Sequence, residues 1–207
     1  MPVDVMLLFF GAAALLALAP GPDNLFVLTQ SLAYGARAGL LVVLGLCTGL
    51  VFHTAVVALG LAALLRASPH ALLLIKLLGA AYLLYLAWMS WLHARDASRA
   101  RPAVSLTGGQ LYRRGVIMNA TNPKVALFFL AFLPQFVDPA HGPVTTQILT
   151  LGVLFALATI LVFGGIALLA GRYAEKLNAS PQRRAWLNRF IAVLFVVLAV
   201  NLLAGWL

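Results

Sequence analysis

The residues able to do chemistry gather in two short stretches. One reads Ala19-Pro20-Gly21-Pro22-Asp23-Asn24 and the other Asn119-Ala120-Thr121-Asn122-Pro123-Lys124. Each sets proline beside a charge and side-chain amides inside an otherwise apolar run. Asp23 and Lys124 lie 101 residues apart, and so do Pro22 and Pro123. Proline removes a backbone donor and glycine loosens the turn, so a helix does not pass cleanly through either stretch. A break of this kind starts a new half-helix, whose free N–H groups and dipole favour a negative group. A carboxylate would bind at such an N-terminus or at Lys124, and an ammonium at Asp23. The pattern suits a zwitterion, which needs one partner of each sign. The candidate binding residues are Pro20, Gly21, Pro22, Asp23, Asn24, Asn119, Asn122, Pro123 and Lys124.

Other polar residues divide between function and packing. His53 sits midway along an apolar run. It either carries protons, since histidine titrates near neutrality, or hydrogen-bonds to a neighbouring helix as a structural residue. Asp23 is the second proton candidate, because removal from water disfavours a charged carboxylate. Lys76 lies only about six residues into its run, where its head would snorkel to the outer interface. Asn201, Thr150 and Thr159 read as interhelical hydrogen-bonding residues. Gly35 with Gly39, and Gly45 with Gly49, are small-residue pairs at helical spacing that allow close packing and permit a homodimer. Tyr82, Tyr85 and Trp88 fit either a lined path or an interface. The single cysteine, Cys47, reads as a small buried hydrophobe.

These residues need elements that hold them away from water. Of the 207 residues, 63% are hydrophobic and 9% charged, far from the roughly half-apolar, quarter-charged balance of a soluble domain. Five acids and fourteen bases cannot coat a soluble surface, and a lipid bilayer removes the need. Spanning the hydrocarbon takes about 20 helical residues. Six runs qualify: 5–34, 39–65, 70–91, 115–137, 144–171 and 190–207. The first is too long for one straight span. The start, Met1-Pro2-Val3-Asp4, has no basic leader, so the first run is expected to stay in the mature protein.

The loops set the orientation. Eleven of the fourteen basic residues fall in the first, third and fifth loops, against Arg66 alone on the opposite side, which also holds Asp4 and Asp138. The positive-inside bias then puts both termini outside the cytoplasm. The same distribution argues against a nucleic-acid partner despite the net charge of +9, because the bases form no continuous face. The loop 94–114 divides the chain into 1–93 and 115–207, each with three spans. An odd number per half makes the second half enter from the opposite side, which is the arithmetic of an inverted repeat. Asp23 precedes Arg37 by 14 residues and Lys124 precedes Asp138 by 14, roughly 21 Å of helix, so both charges lie deep in the bilayer. The fold expected is an all-α polytopic membrane protein. It has six transmembrane helices in two inverted three-helix repeats, the first and fourth helices broken. Overlaying the halves sets Asp23 against Lys124, either as a structural ion pair or as a site for a solute or a proton.

Pro20-Gly21-Pro22-Asp23-Asn24 and Asn119 to Lys124 resemble the LysE/RhtB family of bacterial amino-acid exporters. So do the stretch Gly35-Ala36-Arg37-Ala38-Gly39-Leu40, Gly49 with His53 and Gly60, and Lys76 followed by Gly79-Ala80-Ala81-Tyr82-Leu83. The resemblance covers nearly the whole chain. It implies a location in the bacterial inner membrane and efflux of amino acids or related metabolites, driven by the proton gradient. It maps the family's motif positions onto Pro20, Gly21, Pro22, Asp23, Asn122, Pro123 and Lys124. Other classes fit less well. A metal-ion exporter would need a cluster of Cys, His and carboxylates in a span. An enzyme would need a nucleophile motif or a metal motif, and neither Gly-x-Ser-x-Gly nor His-Glu-x-x-His occurs, so no catalytic residue, cofactor or metal is assigned. A membrane scaffold would gain little from buried charge.

Overall fold

The computed structural model describes residues 1–19, 21–67, 69–92, 104–173 and 181–204, and among these it is helical with no strand. The helices are α1 (Val3–Leu18), α2 (Pro22–Tyr34), α3 (Ala36–Ala67), α4 (Pro69–Leu92), α5 (Gly108–Ala120), α6 (Pro123–Leu127), α7 (Val144–Tyr173) and α8 (Pro181–Ala204). Beyond α6 the chain continues as a π-helical turn, Phe128–Phe132, and a 3-10 turn, Leu133–Phe136. Pro134 explains the change of pitch: it cannot donate to the Leu130 carbonyl, and its ring crowds that oxygen.

Two described stretches are long and apolar enough to cross a membrane, Ala36–Gly60 in α3 and Val144–Ala170 in α7. Two bent pairs raise the number to four if each is one span: α1 with α2, bent by 65°, and α5 with Pro123–Phe136, bent by 45°. Both bends fall at the proline stretches, and each following helix begins on its proline, Pro22 or Pro123. Proline suits that first position, where the missing N–H would have no intrahelical partner. The expected runs 70–91 and 190–207 fall on α4 and α8, whose side chains are described only in part. Helix α5 starts at Gly108, inside the stretch 94–114 expected to be a linker. Thr107 and Gln110 explain this with a reciprocal capping box, Gln110 Oε1 accepting from Thr107 N–H at 2.8 Å.

Large apolar side chains face outward around the bundle, among them Leu7, Val51, Leu59, Val153 and Leu161. A soluble monomer rarely shows so much contiguous apolar surface, and lipid is the solvent that accepts it. Inside, one core joins Phe9 and Leu16 of α1 to Phe128, Phe129 and Phe132 past α6 and to Phe155 of α7. A second joins Val27 of α2 and Leu46 of α3 to Leu111 of α5 and Phe163 of α7. Helix α3 packs on α5 and α7, α1 on α7, and α4 on α8.

The α3–α5 contact rests on missing side chains. Gly45 and Gly49, four residues apart, lie on one face of α3. A Cβ on Gly49 would stand 2.7 Å from the Cβ of Asn119, and one on Gly45 would strike the backbone of Tyr112 and Val116. Gly115 meets the Val42 carbonyl from the other side. The second expected pair divides its labour. Gly39 packs against Ser31 and Ala167, whereas a Cβ on Gly35 would meet open space. Gly35 instead ends α2 at a φ of 82°, a conformation glycine adopts without steric cost. Thr150, expected to bond between helices, bonds to the Thr146 carbonyl of its own helix at 2.9 Å. Cys47 is half-buried and unbridged, and the side chain of Asn201 lies outside the described residues.

Gly49→Leu should therefore force α3 from α5. Thermal unfolding in detergent should show a loss of about 1–3 kcal/mol or more, the range for an overpacked contact. Gly60→Leu, on the same helix but facing open space, should leave the transition where it is. Equal effects from both substitutions would refute this account of the contact.

Candidate functional site

In a continuous helix each carbonyl accepts from the N–H four residues on. Leu16 is thus stranded by Pro20, and Asn119 by Pro123, because proline has no N–H. Each stranded carbonyl is bonded by a side chain. Lys124 Nζ donates to the Leu16 and Ala19 carbonyls, both at 3.0 Å. Asn24 Nδ2 donates to the Ala17 carbonyl at 2.8 Å. At the other break, His53 Nε2 of α3 meets the Asn119 carbonyl at 3.0 Å. An unpartnered buried carbonyl costs about 1–3 kcal/mol, so these bonds hold the broken backbone in place.

Asn122 ties the two breaks together. Its Oδ1 accepts from the Lys124 backbone N–H at 3.0 Å and caps α6, while its Nδ2 donates to Asp23 Oδ2 at 2.7 Å. Asp23 and Lys124 are almost fully buried, 3% and 8% exposed, yet the described residues show no ion pair between them. The structural ion pair weighed from the sequence is therefore replaced by an amide bridge. The reason lies in the helix ends. Lys124 Nζ sits at the carbonyl-rich end of α1, which attracts a cation, and Asp23 sits in the first turn of α2, which attracts an anion.

The two charges line one cavity with Leu16, Asn119, Phe155 and Thr159. It holds about 10 Å³ of space for water centres, roughly one water molecule. Asp23 Oδ1 and Asn119 Oδ1 are buried and have no hydrogen-bond partner, and neither has Asn24 Oδ1. All three are acceptors, so this region can still take donors. A second small cavity lies on the far side of Lys124, between Tyr82, Leu86 and Phe132.

The structure thus brings Asp23, Asn119, Asn122 and Lys124 together, with Asn24 beside them. Gly21 lies next to Lys124: a Cβ there would be in ordinary contact with Nζ at 3.4 Å. Pro22 and Pro123 open α2 and α6, and Pro20 lies outside the described residues. His53 reaches Asn119 but lines neither cavity. Of the residues read as packing, Thr159 and Tyr82 line cavities, whereas Tyr85 and Trp88 are exposed. The side chain of Lys76 lies outside the described residues. Sequence reasoning missed the carbonyls of Leu16 and Ala19 as partners of Lys124. The signal was present, since a proline four residues after Leu16 strands its oxygen.

A family model, the LysE type translocator, matches residues 14–205. The chain belongs to that family. A homoserine/homoserine lactone efflux protein of Salmonella typhimurium is 34% identical over 190 residues, 92% of this chain and 91% of its own length. A leucine efflux protein of Salmonella choleraesuis is 29% identical over 193 residues, 92% of this chain and 90% of its own. An uncharacterized membrane protein of Vibrio cholerae is 34% identical over 201 residues, 95% of each chain. No solved structure matches. The chain is accordingly a membrane-embedded translocator, similar to exporters of amino-acid-like solutes.

The bridging amide of this translocator makes a stability prediction. Asn122→Ala removes the α6 cap and the Asp23 donor together, and thermal unfolding should show a loss of about 1–3 kcal/mol. Asn122→Asp keeps the capping acceptor but sets a second carboxylate beside Asp23, and should lose more. A variant Asn122→Asp as stable as the native protein would remove Asn122 from this role.

Proposed function

We propose that this translocator exports amino acids, or closely related small zwitterionic metabolites, across the bacterial inner membrane, coupled to proton entry. The observation that carries the reading is the cavity in which Asp23 and Lys124 lie together with two unpartnered acceptors, Asp23 Oδ1 and Asn119 Oδ1. The solute's ammonium binds these oxygens. Its carboxylate binds Lys124 and the start of α2, where no side chain caps the free N–H groups. Gly21, Pro22 and Pro123 hold the two helix starts, and Asn24, Asn119 and Asn122 supply amides. Pro20 belongs to the same break by sequence. Two relatives, named for efflux of homoserine or homoserine lactone and of leucine, support the solute class.

In this reading six helices cross the bilayer as two inverted repeats, α1–α4 and α5–α8, with both termini outside the cytoplasm. The packing supports it: α1 lies on α7 as α5 lies on α3, while α3 lies on α7 and α4 on α8. Exchange of the halves maps this set of contacts onto itself. The cavity is too small for an amino acid, so the state described is closed around the site. An outlet basin of about 360 Å³, lined by Asp4, Gln135, Asp138 and His141, opens beyond Phe136. Between basin and site stand Phe9, Phe128, Phe132 and Phe136, with Phe9 and Phe136 edge to face at 5.1 Å. Solute leaves when these rings part.

Proteoliposomes preloaded with a panel of amino acids, including homoserine and leucine, test the reading. At least one zwitterion should leave faster than from empty liposomes, and faster still when the receiving side is acidified. Asp23→Asn and Lys124→Gln should each reduce efflux to the background while the protein still inserts. The reading fails if no zwitterion moves, or if both variants transport at the native rate. A rate indifferent to the pH gradient would remove the proton from the mechanism.

A further inference from the structure

His53 is a buried titratable side chain that lines neither cavity beside Lys124. Its ring is 5% exposed and lies between Phe52 and Phe129, with centroids 5.5 and 5.7 Å away. Its Nε2 lies 3.0 Å from the Asn119 carbonyl. A carbonyl only accepts, so Nε2 carries the hydrogen. The Asn119 oxygen is the one that Pro123 cannot serve. Asn122 N–H turns back onto it at 2.9 Å, and the histidine fills the remaining acceptor direction. Asn119 in turn presents an unpartnered Oδ1 and lines the cavity beside Asp23.

The face of α3 that carries His53 is shaped for this contact. Gly45, Gly49 and His53 recur every four residues, and Gly49 lets Asn119 approach so closely that a Cβ would stand 3.0 Å from its Oδ1. Among the described residues no carboxylate or cation lies within hydrogen-bonding distance of the ring. The two charges of the site bond elsewhere, Asp23 to Asn122 and Lys124 to the α1 carbonyls.

We infer that His53 is a positioning residue, not a proton carrier: it adds a second donor to the Asn119 carbonyl and thereby holds Asn119 at the cavity it shares with Asp23. The inference rests on the proposed site, since Asn119 is there assigned to the solute's ammonium.

Two variants and one spectrum test it. Glutamine places an amide N–H close to where Nε2 stands but cannot carry a proton. His53→Gln should keep the native rate within about twofold and the native pH profile of efflux, whereas His53→Leu should raise the apparent KM about tenfold with a smaller change in maximal rate. A merely structural histidine would lower the maximal rate through loss of folded protein and leave KM alone. Failure of His53→Gln alongside His53→Leu, or a flattened pH profile in His53→Gln, would overturn the inference. In purified native protein at about pH 7, the ¹⁵N spectrum of His53 should show hydrogen on Nε2. Hydrogen on Nδ1 with Nε2 bare would also overturn it. The spectrum needs no transported solute, so its outcome is separate from failure of the export assay.

Discussion

A helix broken inside the protein must find donors for the carbonyls its prolines strand. That constraint organises this protein more than any pairing of charges. Pro20 and Pro123 leave Leu16 and Asn119 without their helical partners; Lys124, from a distant part of the chain, bonds Leu16, while Asn119 takes the neighbouring Asn122 N–H and His53 of α3 as a second donor. A stranded carbonyl in lipid is tolerated only where protein groups re-satisfy it. The breaks can therefore exist only where α1, α3, α5 and α6 meet, and the glycine face of α3 is the means by which α5 comes close enough.

The same constraint decides how the buried charges are held. An ion at the centre of a helix in the bilayer costs about 2.5–3.5 kcal/mol on insertion scales. A direct bond between Asp23 and Lys124 would offset this but would consume both groups. Each charge instead meets the helix end of opposite sign, and Asn122 keeps them apart while holding both elements. Asp23 therefore retains one unpartnered oxygen. In the proposed export reading, a zwitterion would add bonds to groups that are already oriented, with no Asp23–Lys124 ion pair to break first.

Much of this was legible in the residues. The two prolines, their charges and their equal spacing located the breaks, and apolar length located α3 and α7. The proton-or-packing question at His53 was posed by its place in an apolar run. What the order of residues does not carry is distance. Asn122 reads as one polar residue among several, and only the approach of α2 to α6 makes it a bridge. Gly35 and Gly39 look like one packing pair, but backbone direction at the end of α2 makes the first a turn and the second a contact. The stretch 94–114 reads as a linker because of its arginines, whereas Thr107 and Gln110 cap α5 ahead of Arg113 and Arg114.

The two breaks resemble each other in sequence but not in stiffness. After the first, α2 runs thirteen residues as regular helix. After the second, α6 holds five residues before Pro134 and its neighbours turn the backbone into π and then 3-10 geometry. Hydrogen-bond geometry is poorer in such turns, and they recur at functional sites. Lys124, which closes the end of α1, stands on this loosened segment, and so do Phe128, Phe132 and Phe136. Displacing α6 releases the amine from the α1 carbonyls and the rings from Phe9 together, whereas displacing α2 would disturb a full helical ladder. The two breaks therefore differ in the backbone that follows them, a regular α ladder after the first and π and 3-10 turns after the second.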